Sequence, residues 1–144
     1  MRTELRLSKE NVGKFMMPVG GNERILLVDD EQMLADVWKE LLEHLGYQVM
    51  AQTSSLEALR VFREEPGNFD LIITDHKMPD MVGLDLAREV RVIRPDIPII
   101  LSTGSLFLIN RDEVDRVGIQ SILTKPCDFQ SMAMTVRMVL KRQD

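Results

Sequence analysis

The chain has 144 residues, of which 44% are hydrophobic, and its formal net charge is −5. This length and composition fit one domain with one hydrophobic core. The acidic balance, without a basic stripe, argues against direct binding of nucleic acid. No apolar run has the length of a membrane span, and the first residues lack a secretion signal. Cys127 is the only cysteine, so no intrachain disulfide can form, and we expect a cytoplasmic protein.

The first part of the chain differs from the rest in composition and periodicity. Residues 1–22 mix charges with Gly13, Pro18 and the pair Gly20-Gly21, and they show no regular period. We interpret them as a flexible leader or linker and residues 23–144 as the folded domain. Apolar side chains between Leu5 and Met17 leave open a short helix that docks elsewhere.

Five short apolar segments follow, and each is long enough for a strand but too short for a helix. They are Ile25–Val28, Tyr47–Ala51, Leu71–Ile73, Ile97–Leu101 and Ser121–Thr124. Most have no charge inside, which is typical of strands that are buried on both faces.

Helical patterns separate these segments. The first helix carries the apolar stripe Met33, Leu34, Val37, Trp38, Leu41, Leu42 and Leu45 and ends at Gly46. The second begins at the cap Ser54 and carries Leu56, Leu59, Val61 and Phe62. The others are predicted over Gly83–Ile93, over Leu106–Val117 and after the cap Asp128, where Met132, Val136, Val139 and Leu140 share one side. Fivefold strand–helix alternation predicts an α/β fold with a parallel sheet and helices on both faces.

Polar residues follow four of the predicted strands: Asp29-Asp30, Asp75, Thr103 and Lys125. The carboxyl ends of parallel strands meet at one edge of a sheet, where open α/β sheets place their ligands. We therefore expect these side chains to converge. Any one of them alone would be a weak signal.

This set of residue types suits phosphoryl transfer. Three crowded carboxylates repel one another, and Mg²⁺ is the natural counter-ion because it prefers carboxylates, waters and phosphate oxygens. Asp75 would accept the phosphoryl group as an acyl phosphate, while Asp29 and Asp30 would hold the metal. Lys125 would contact the phosphoryl oxygens, and Thr103 would donate a hydrogen bond to them.

The chain from Glu23 to about Arg142 resembles a bacterial two-component receiver domain, as found in response regulators. Four motifs in order carry the resemblance: Ile25-Leu26-Leu27-Val28-Asp29-Asp30-Glu31, Asp75-His76-Lys77-Met78-Pro79-Asp80-Met81-Val82-Gly83, Ser102-Thr103-Gly104 and Lys125-Pro126.

The resemblance implies a flavodoxin-like, doubly wound (βα)5 sheet of strand order 2-1-3-4-5. It implies that a sensor histidine kinase phosphorylates Asp75, and that Asp30, Asp75 and the backbone carbonyl of Lys77 bind Mg²⁺. It also implies a cis peptide between Lys125 and Pro126. Such a domain catalyses its own phosphoryl acceptance and hydrolysis and is not a turnover enzyme. A homodimer through the fourth helix, fifth strand and fifth helix is a further expectation.

Two positions depart from the family pattern. Ile122 occupies the place where the family usually has a Tyr or Phe that moves inward when the threonine moves. Lys77 replaces the small or amide residue that is more often found two places after the acceptor. We interpret His76, the neighbour of the acceptor, as a bystander.

Several alternatives remain open from the sequence. A phosphatase of the haloacid dehalogenase type also uses an Asp nucleophile, Mg²⁺, Thr and Lys. Its nucleophile lies in an Asp-x-Asp motif on the first strand, whereas the first strand here ends in adjacent Asp29-Asp30. A receiver-like binding module that is never phosphorylated is the other class. Separately, Asp29-Asp30 could simply cap the helix that follows. The context is also open, because Val19–Arg24 looks like the linker before a receiver at the carboxyl end of a hybrid sensor kinase. The output partner is not indicated.

Overall fold

A computed structural model describes residues 19–141, and within them strands and helices alternate. The strands are β1 (Arg24–Val28), β2 (Gln48–Gln52), β3 (Leu71–Asp75), β4 (Ile99–Thr103) and β5 (Ser121–Thr124). The α-helices are α1 (Gln32–His44), α2 (Ser55–Glu64), α3 (Gly83–Ile93), α4 (Arg111–Val117) and α5 (Phe129–Lys141), with 3₁₀ turns at Pro66–Asn68 and Leu106–Leu108. In this described part, no helix is both long and apolar enough to cross a membrane.

The five strands form one parallel sheet in the order β2-β1-β3-β4-β5, as the resemblance implied. The three inner strands β1, β3 and β4 are almost completely buried. Their apolar sequences follow from this position, because helices cover both faces of the sheet. The strand prediction is therefore confirmed, with small shifts at the ends.

Two apolar clusters lie on opposite faces of the sheet. On one face, Leu42 of α1 and Val136 of α5 pack against Ile25 and Ile73. On the other face, Phe62 of α2 packs with residues of α3 and of the strands. A smaller cluster joins α3, α4 and β4 through Leu84, Val114 and Leu101. The hydrophobic core thus lies on the two faces of the sheet, and polar side chains occupy the carboxyl edge.

The predicted helix over Leu106–Val117 is wrong in its first half. Leu106–Leu108 forms a 3₁₀ turn, and α4 begins only at Arg111. The cause is local: Asn110 has extended backbone angles, and its side-chain oxygen accepts a hydrogen bond from the Glu113 amide at 3.2 Å. This N-cap starts a new helix instead of continuing the preceding turn.

The predicted apolar stripe of α1 is only partly buried. Met33 and Val37 are 80% and 50% exposed, and Ala35 takes the core position. Leu56 of α2 is also exposed. The start of the fourth strand was placed too early, since Pro98 has no amide hydrogen to donate and the ladder of β4 begins at Ile99.

Candidate functional site

Three carboxylates meet at the carboxyl edge of the sheet. Asp75 is the last residue of β3, and Asp29 and Asp30 follow β1, which pairs with β3. Their nearest oxygens all lie within 4.8 Å of one another. Asp29 and Asp75 are buried and Asp30 is exposed. Asp29 also accepts a hydrogen bond from the Glu31 amide at 2.9 Å, so it orients the start of α1 as well.

Lys125 is the cation of this group. It follows β5, and its amide donates to the Thr103 carbonyl at 2.7 Å, which fixes the backbone beside β4. Its Nζ lies 3.1 Å from Oδ2 of Asp75 and 3.5 Å from Oδ2 of Asp29. The peptide between Lys125 and Pro126 is cis, as the resemblance implied. One ammonium group therefore bridges two buried carboxylates from different strands.

The charges of the site are strongly coupled. Burial raises the pKa of Asp75 above its ordinary value, the Asp29 carboxylate raises it further, and Lys125 opposes both effects. Burial acts to lower the pKa of Lys125, but its hydrogen bonds and attraction to Asp75 and Asp29 outweigh burial, so its pKa is raised. One lysine does not fully offset the carboxylate charge, and the site favours a further cation.

The loop after β3 is built against Asp75. The His76 amide donates to Oδ1 of Asp75 at 3.0 Å, and the Gly83 amide donates to the His76 carbonyl at 2.7 Å. A Cβ at Gly83 would lie 2.3 Å from the Asp75 carbonyl oxygen, so only glycine fits. The other oxygen of Asp75 faces Lys125, and both carboxylate oxygens are therefore held in place.

A cavity of about 520 Å³ opens over these groups, and we call it the acidic cavity. Its lining residues are Asp30, Glu31, Asp75, Lys77, Met78, Pro79, Gly104 and Lys125. Lys77 is exposed at this cavity and has no ion-pair partner within 4.0 Å among residues 19–141. The sequence analysis assigned no role to Glu31 or Gly104, although both belong to the quoted motifs.

Thr103 lies at the same edge, but its hydroxyl is engaged elsewhere. It donates to the Ser105 carbonyl at 3.1 Å and accepts from the Ser105 amide at 3.2 Å. The Ser105 hydroxyl in turn accepts from the Phe107 amide at 3.3 Å. Sequence reasoning missed Ser105, although a threonine hydroxyl that bonds the backbone two residues on is a known local turn.

Two further positions clarify the surroundings. Ile122 is partly buried and packs on the small cluster that contains Leu101 and Val114. His76 has its Nδ1 buried without a partner in the described part, and burial lowers the pKa of its imidazole. A neutral imidazole beside Asp75 adds no positive charge to the site.

The donor set fits a hard divalent ion. Its ligands are oxygens, and the three carboxylates converge from two adjacent strands beside a cavity wide enough for waters. Mg²⁺ is bound in this way, by few carboxylates together with water and substrate oxygens.

The sheet order, the acid cluster and the bridging lysine place the chain among doubly wound α/β domains with an acidic site at the carboxyl edge of the sheet. A family model for the response regulator receiver domain matches residues 25–137. The chain belongs to this family, and it is a receiver domain of two-component systems. The match assigns the chain to the receiver class and gives no support to the haloacid dehalogenase alternative.

Individual relatives agree with this assignment. The chain is 31% identical over 122 residues to the aerobic respiration control sensor protein ArcB of Escherichia coli K12, covering 83% of this chain and 15% of ArcB. It is 32% identical over 140 residues to the sensor kinase CckA of Brucella abortus, covering 95% of this chain and 14% of CckA. A crystal structure of a receiver domain protein from Clostridium thermocellum superposes with a TM-score of 0.79 at 35% identity, covering 84% and 96% of the two chains. The chain thus spans about a seventh of the length of these two sensor proteins.

Proposed function

We propose that the protein receives a phosphoryl group on Asp75 and that this modification switches its conformation. One observation carries the proposal: Lys125 Nζ bridges Asp75 and Asp29 at 3.1 and 3.5 Å on the wall of an open cavity. An ammonium fixed there already occupies the place where the charge of a transferred phosphoryl group would develop. Electrostatic stabilisation of this kind needs no rearrangement during the reaction.

In the reaction, a carboxylate oxygen of Asp75 bonds to phosphorus while the bond from phosphorus to the donor's leaving group breaks. The His76 amide and Lys125 hold the Asp75 carboxylate in orientation for attack. Lys125 then pairs with the phosphoryl oxygens of the product. The Thr103 hydroxyl becomes a donor to the same oxygens only after it leaves Ser105.

Asp29, Asp30, Asp75 and the backbone carbonyl of Lys77 would hold Mg²⁺. The ion would supply positive charge against the developing negative charge of the phosphoryl oxygens. The raised pKa of Asp75, caused by burial and by Asp29, supports this assignment, because an added cation relieves the same repulsion. The domain catalyses its own phosphorylation and hydrolysis and does not turn over an external substrate.

The phosphodonor in this proposal is a sensor histidine kinase. The similarity to the sensor proteins ArcB and CckA supports that partner and supports a place within a longer hybrid kinase, for which we propose the carboxyl end. The free thiol of Cys127 is consistent with a cytoplasmic location. A homodimer through α4, β5 and α5 belongs to the proposal as well, and exposed Met134 and Met138 on α5 support it. Residues 1–18, the main part of the proposed leader, lie outside the described residues.

The direct test is chemical phosphorylation. Acetyl phosphate should label the wild-type protein at one site and only when Mg²⁺ is present, and mass spectrometry should place the label on Asp75. Asp75→Asn should abolish labelling because the amide is not a nucleophile. Asp80→Asn is the matched control, because Asp80 is an exposed carboxylate in the same loop, and it should label normally.

Equal labelling of Asp75→Asn and the wild type would overturn the assignment of the acceptor. Absence of labelling in the wild type, together with no labelling by a phosphorylated histidine kinase, would instead favour a receiver-like module that only binds partners.

A further inference from the structure

The segment Val19–Glu23, here called the lead-in segment, makes regular contacts with the folded domain. The Gly21 amide donates to the Leu45 carbonyl at 3.2 Å, which lies in the turn between α1 and β2. The Asn22 carbonyl accepts from the Gln48 side chain at 3.2 Å, and the Glu23 carbonyl accepts from the Gln48 amide at 2.9 Å. Such pairing is unlike a flexible linker, whose backbone groups are hydrogen-bonded to water.

Three glycines allow the lead-in segment to approach this closely. A Cβ at Gly20 would lie 2.0 Å from the Leu45 carbonyl oxygen, and a Cβ at Gly46 would lie 2.4 Å from the Gly21 carbonyl oxygen. Gly46 also has a φ of +104°, which side chains rarely adopt. A Cβ at Gly21 would lie 2.3 Å from a guanidinium nitrogen of Arg137. At Gly20 and Gly46 the closest atom belongs to the backbone, so neither position has room for a side chain, whereas at Gly21 the closest atoms are the ends of the Glu23 and Arg137 side chains.

Arg137 of α5 also stabilises the lead-in segment. Its guanidinium donates to the Gly20 carbonyl at 3.2 Å and to the two carboxylate oxygens of Glu23 at 3.1 and 2.7 Å. It also donates to the Tyr47 hydroxyl at 3.5 Å. Both charged side chains are about four-fifths buried, at 22% and 23% exposure, so solvent screens their attraction only partly.

We propose that the lead-in segment is a fixed joint. Arg137 and the closely packed glycines hold this segment in a single orientation relative to the domain. The joint lies at the amino end of β1, opposite the acidic cavity. β1 has five residues, so the two ends of the sheet are about 17 Å apart. The lead-in segment itself therefore lies on the far side of the sheet from the acidic cavity. The joint is also attached to α5, so a shift of α5 moves it.

Pulsed electron paramagnetic resonance tests the joint directly. In a Cys127→Ser background, spin labels on Val19→Cys and on Glu40→Cys of α1 report the direction of the lead-in segment, since both positions are exposed. We expect one narrow distance distribution in this labelled parent. Arg137→Gln and Gly20→Ala should each broaden this distribution. The first removes the ion pair with Glu23, and the second creates a steric conflict with Leu45.

Matched controls separate the joint from general effects. Arg116→Gln makes the same charge change on exposed Arg116 of α4, and Gly67→Ala adds a Cβ where nothing lies within 4 Å. Both should keep the narrow distribution. Circular dichroism should show each variant folded, and hydrogen exchange gives an unlabelled check. The Gly21 amide should exchange about tenfold faster or more in Arg137→Gln than in Arg116→Gln.

A broad distribution in the labelled parent would overturn the proposal, as would a distribution that stays narrow in both Arg137→Gln and Gly20→Ala. An unprotected Gly21 amide in the wild type would overturn it as well. None of these readouts depends on phosphorylation of Asp75, so the joint and the acceptor site are tested independently.

Discussion

Lys125 contacts two buried carboxylates, but it does so at the wall of an open cavity, with 27% of its side chain exposed. Water can therefore replace its ammonium group when the side chain is removed, and the loss of stability should be small. We expect Lys125→Ala to lower the free energy of unfolding by about 1 kcal/mol. Phosphorylation by acetyl phosphate should slow by about 100-fold or more, since a fixed charge at the acceptor is lost.

Stopped-flow labelling and urea unfolding measure the two effects. Lys39→Ala is the control, because Lys39 makes only an exposed ion pair with Glu43 on α1. A large loss of stability with nearly normal labelling would make Lys125 a structural ion-pair partner.

We expect the Lys77 side chain to affect both the affinity for Mg²⁺ and the lifetime of the acyl phosphate. Its side chain lines the acidic cavity without an ion-pair partner in the described part, so its charge acts on the carboxylates through solvent. At about 4 Å in water such an attraction is worth about 1 kcal/mol, or about fivefold in affinity. We expect Lys77→Asn to bind Mg²⁺ more tightly by up to that factor and to hydrolyse the acyl phosphate faster. The reason is that Lys77 competes with the cation and covers the phosphoryl group.

Calorimetric titration with Mg²⁺ and phosphate-release kinetics check this expectation, with Lys39→Asn as the control. Unchanged affinity together with an unchanged lifetime would show that Lys77 only points into solvent.

At this scale, sequence reasoning could place Asp29, Asp75, Thr103 and Lys125 at one edge, because strand ends follow from the apolar pattern. It could not predict which partner the Thr103 hydroxyl selects. That choice depends on a side-chain rotamer and on the local turn at Ser105.

The connection between β4 and α4 is the segment that we expect to change conformation on phosphorylation. Thr103 holds Ser105 by two hydrogen bonds, Ser105 holds the Phe107 amide, and the Phe107 side chain is fully exposed. We expect a phosphoryl group on Asp75 to compete for the Thr103 hydroxyl and so to release this turn. Ile122 has no ring to rotate, so the change should stay in the loops after β3 and β4.

Solution NMR with and without beryllium fluoride measures this distribution. We expect large amide shifts from Thr103 to Phe107 and small shifts at Ile122 and along α5. Shifts at Ile122 and α5 as large as those near Thr103 would contradict it. Asp75→Asn supplies the control, because beryllium fluoride should leave its spectrum unchanged.

Element boundaries show where sequence patterns are sufficient. The limits of α3 follow from Gly83 and from the Arg94-Pro95 stop, and the structure has the predicted range. The start of α4 required knowing that Asn110 caps a helix inside an apolar stretch. The stripe of α1 was predicted too wide because periodicity cannot show that Met33 lies beyond the sheet and contacts solvent.

In the whole molecule, one ion pair connects the two ends of the described chain. The hydrogen bond from Arg137 holds the pKa of Glu23 below its ordinary value of 4.5. A carboxylate with a lowered pKa stabilises the fold above the ordinary pKa, and this contribution is lost as the pH falls through the folded-state pKa. We expect the wild type to exceed Glu23→Gln in unfolding free energy by about 1 kcal/mol at neutral pH. The difference should shrink as the pH falls below 4.5 and vanish once the pH is below the lowered pKa of Glu23 in the folded protein.

Urea unfolding of both proteins across this pH range gives the difference directly. Glu40→Gln is the control, since Glu40 is exposed on α1 and makes no ion pair among the described residues. A wild-type advantage that persists unchanged in acid would mean that the carboxylate charge of Glu23 contributes nothing. The pair could not be predicted from sequence, because nothing local relates position 23 to position 137.

The direction of α5 places its contact with the lead-in segment on one side of the domain. The helix starts beside the acidic edge at Phe129 and returns along the sheet, so that Arg137 meets Gly20. The contact between Arg137 and Gly20 therefore lies at the amino end of β1, on the side away from Asp75. We expect a protein fused ahead of the lead-in segment to disturb the reactive edge little, because the two lie at opposite ends of β1. Portability in gene fusion is thus a property of the architecture and does not depend on the chemistry of the site.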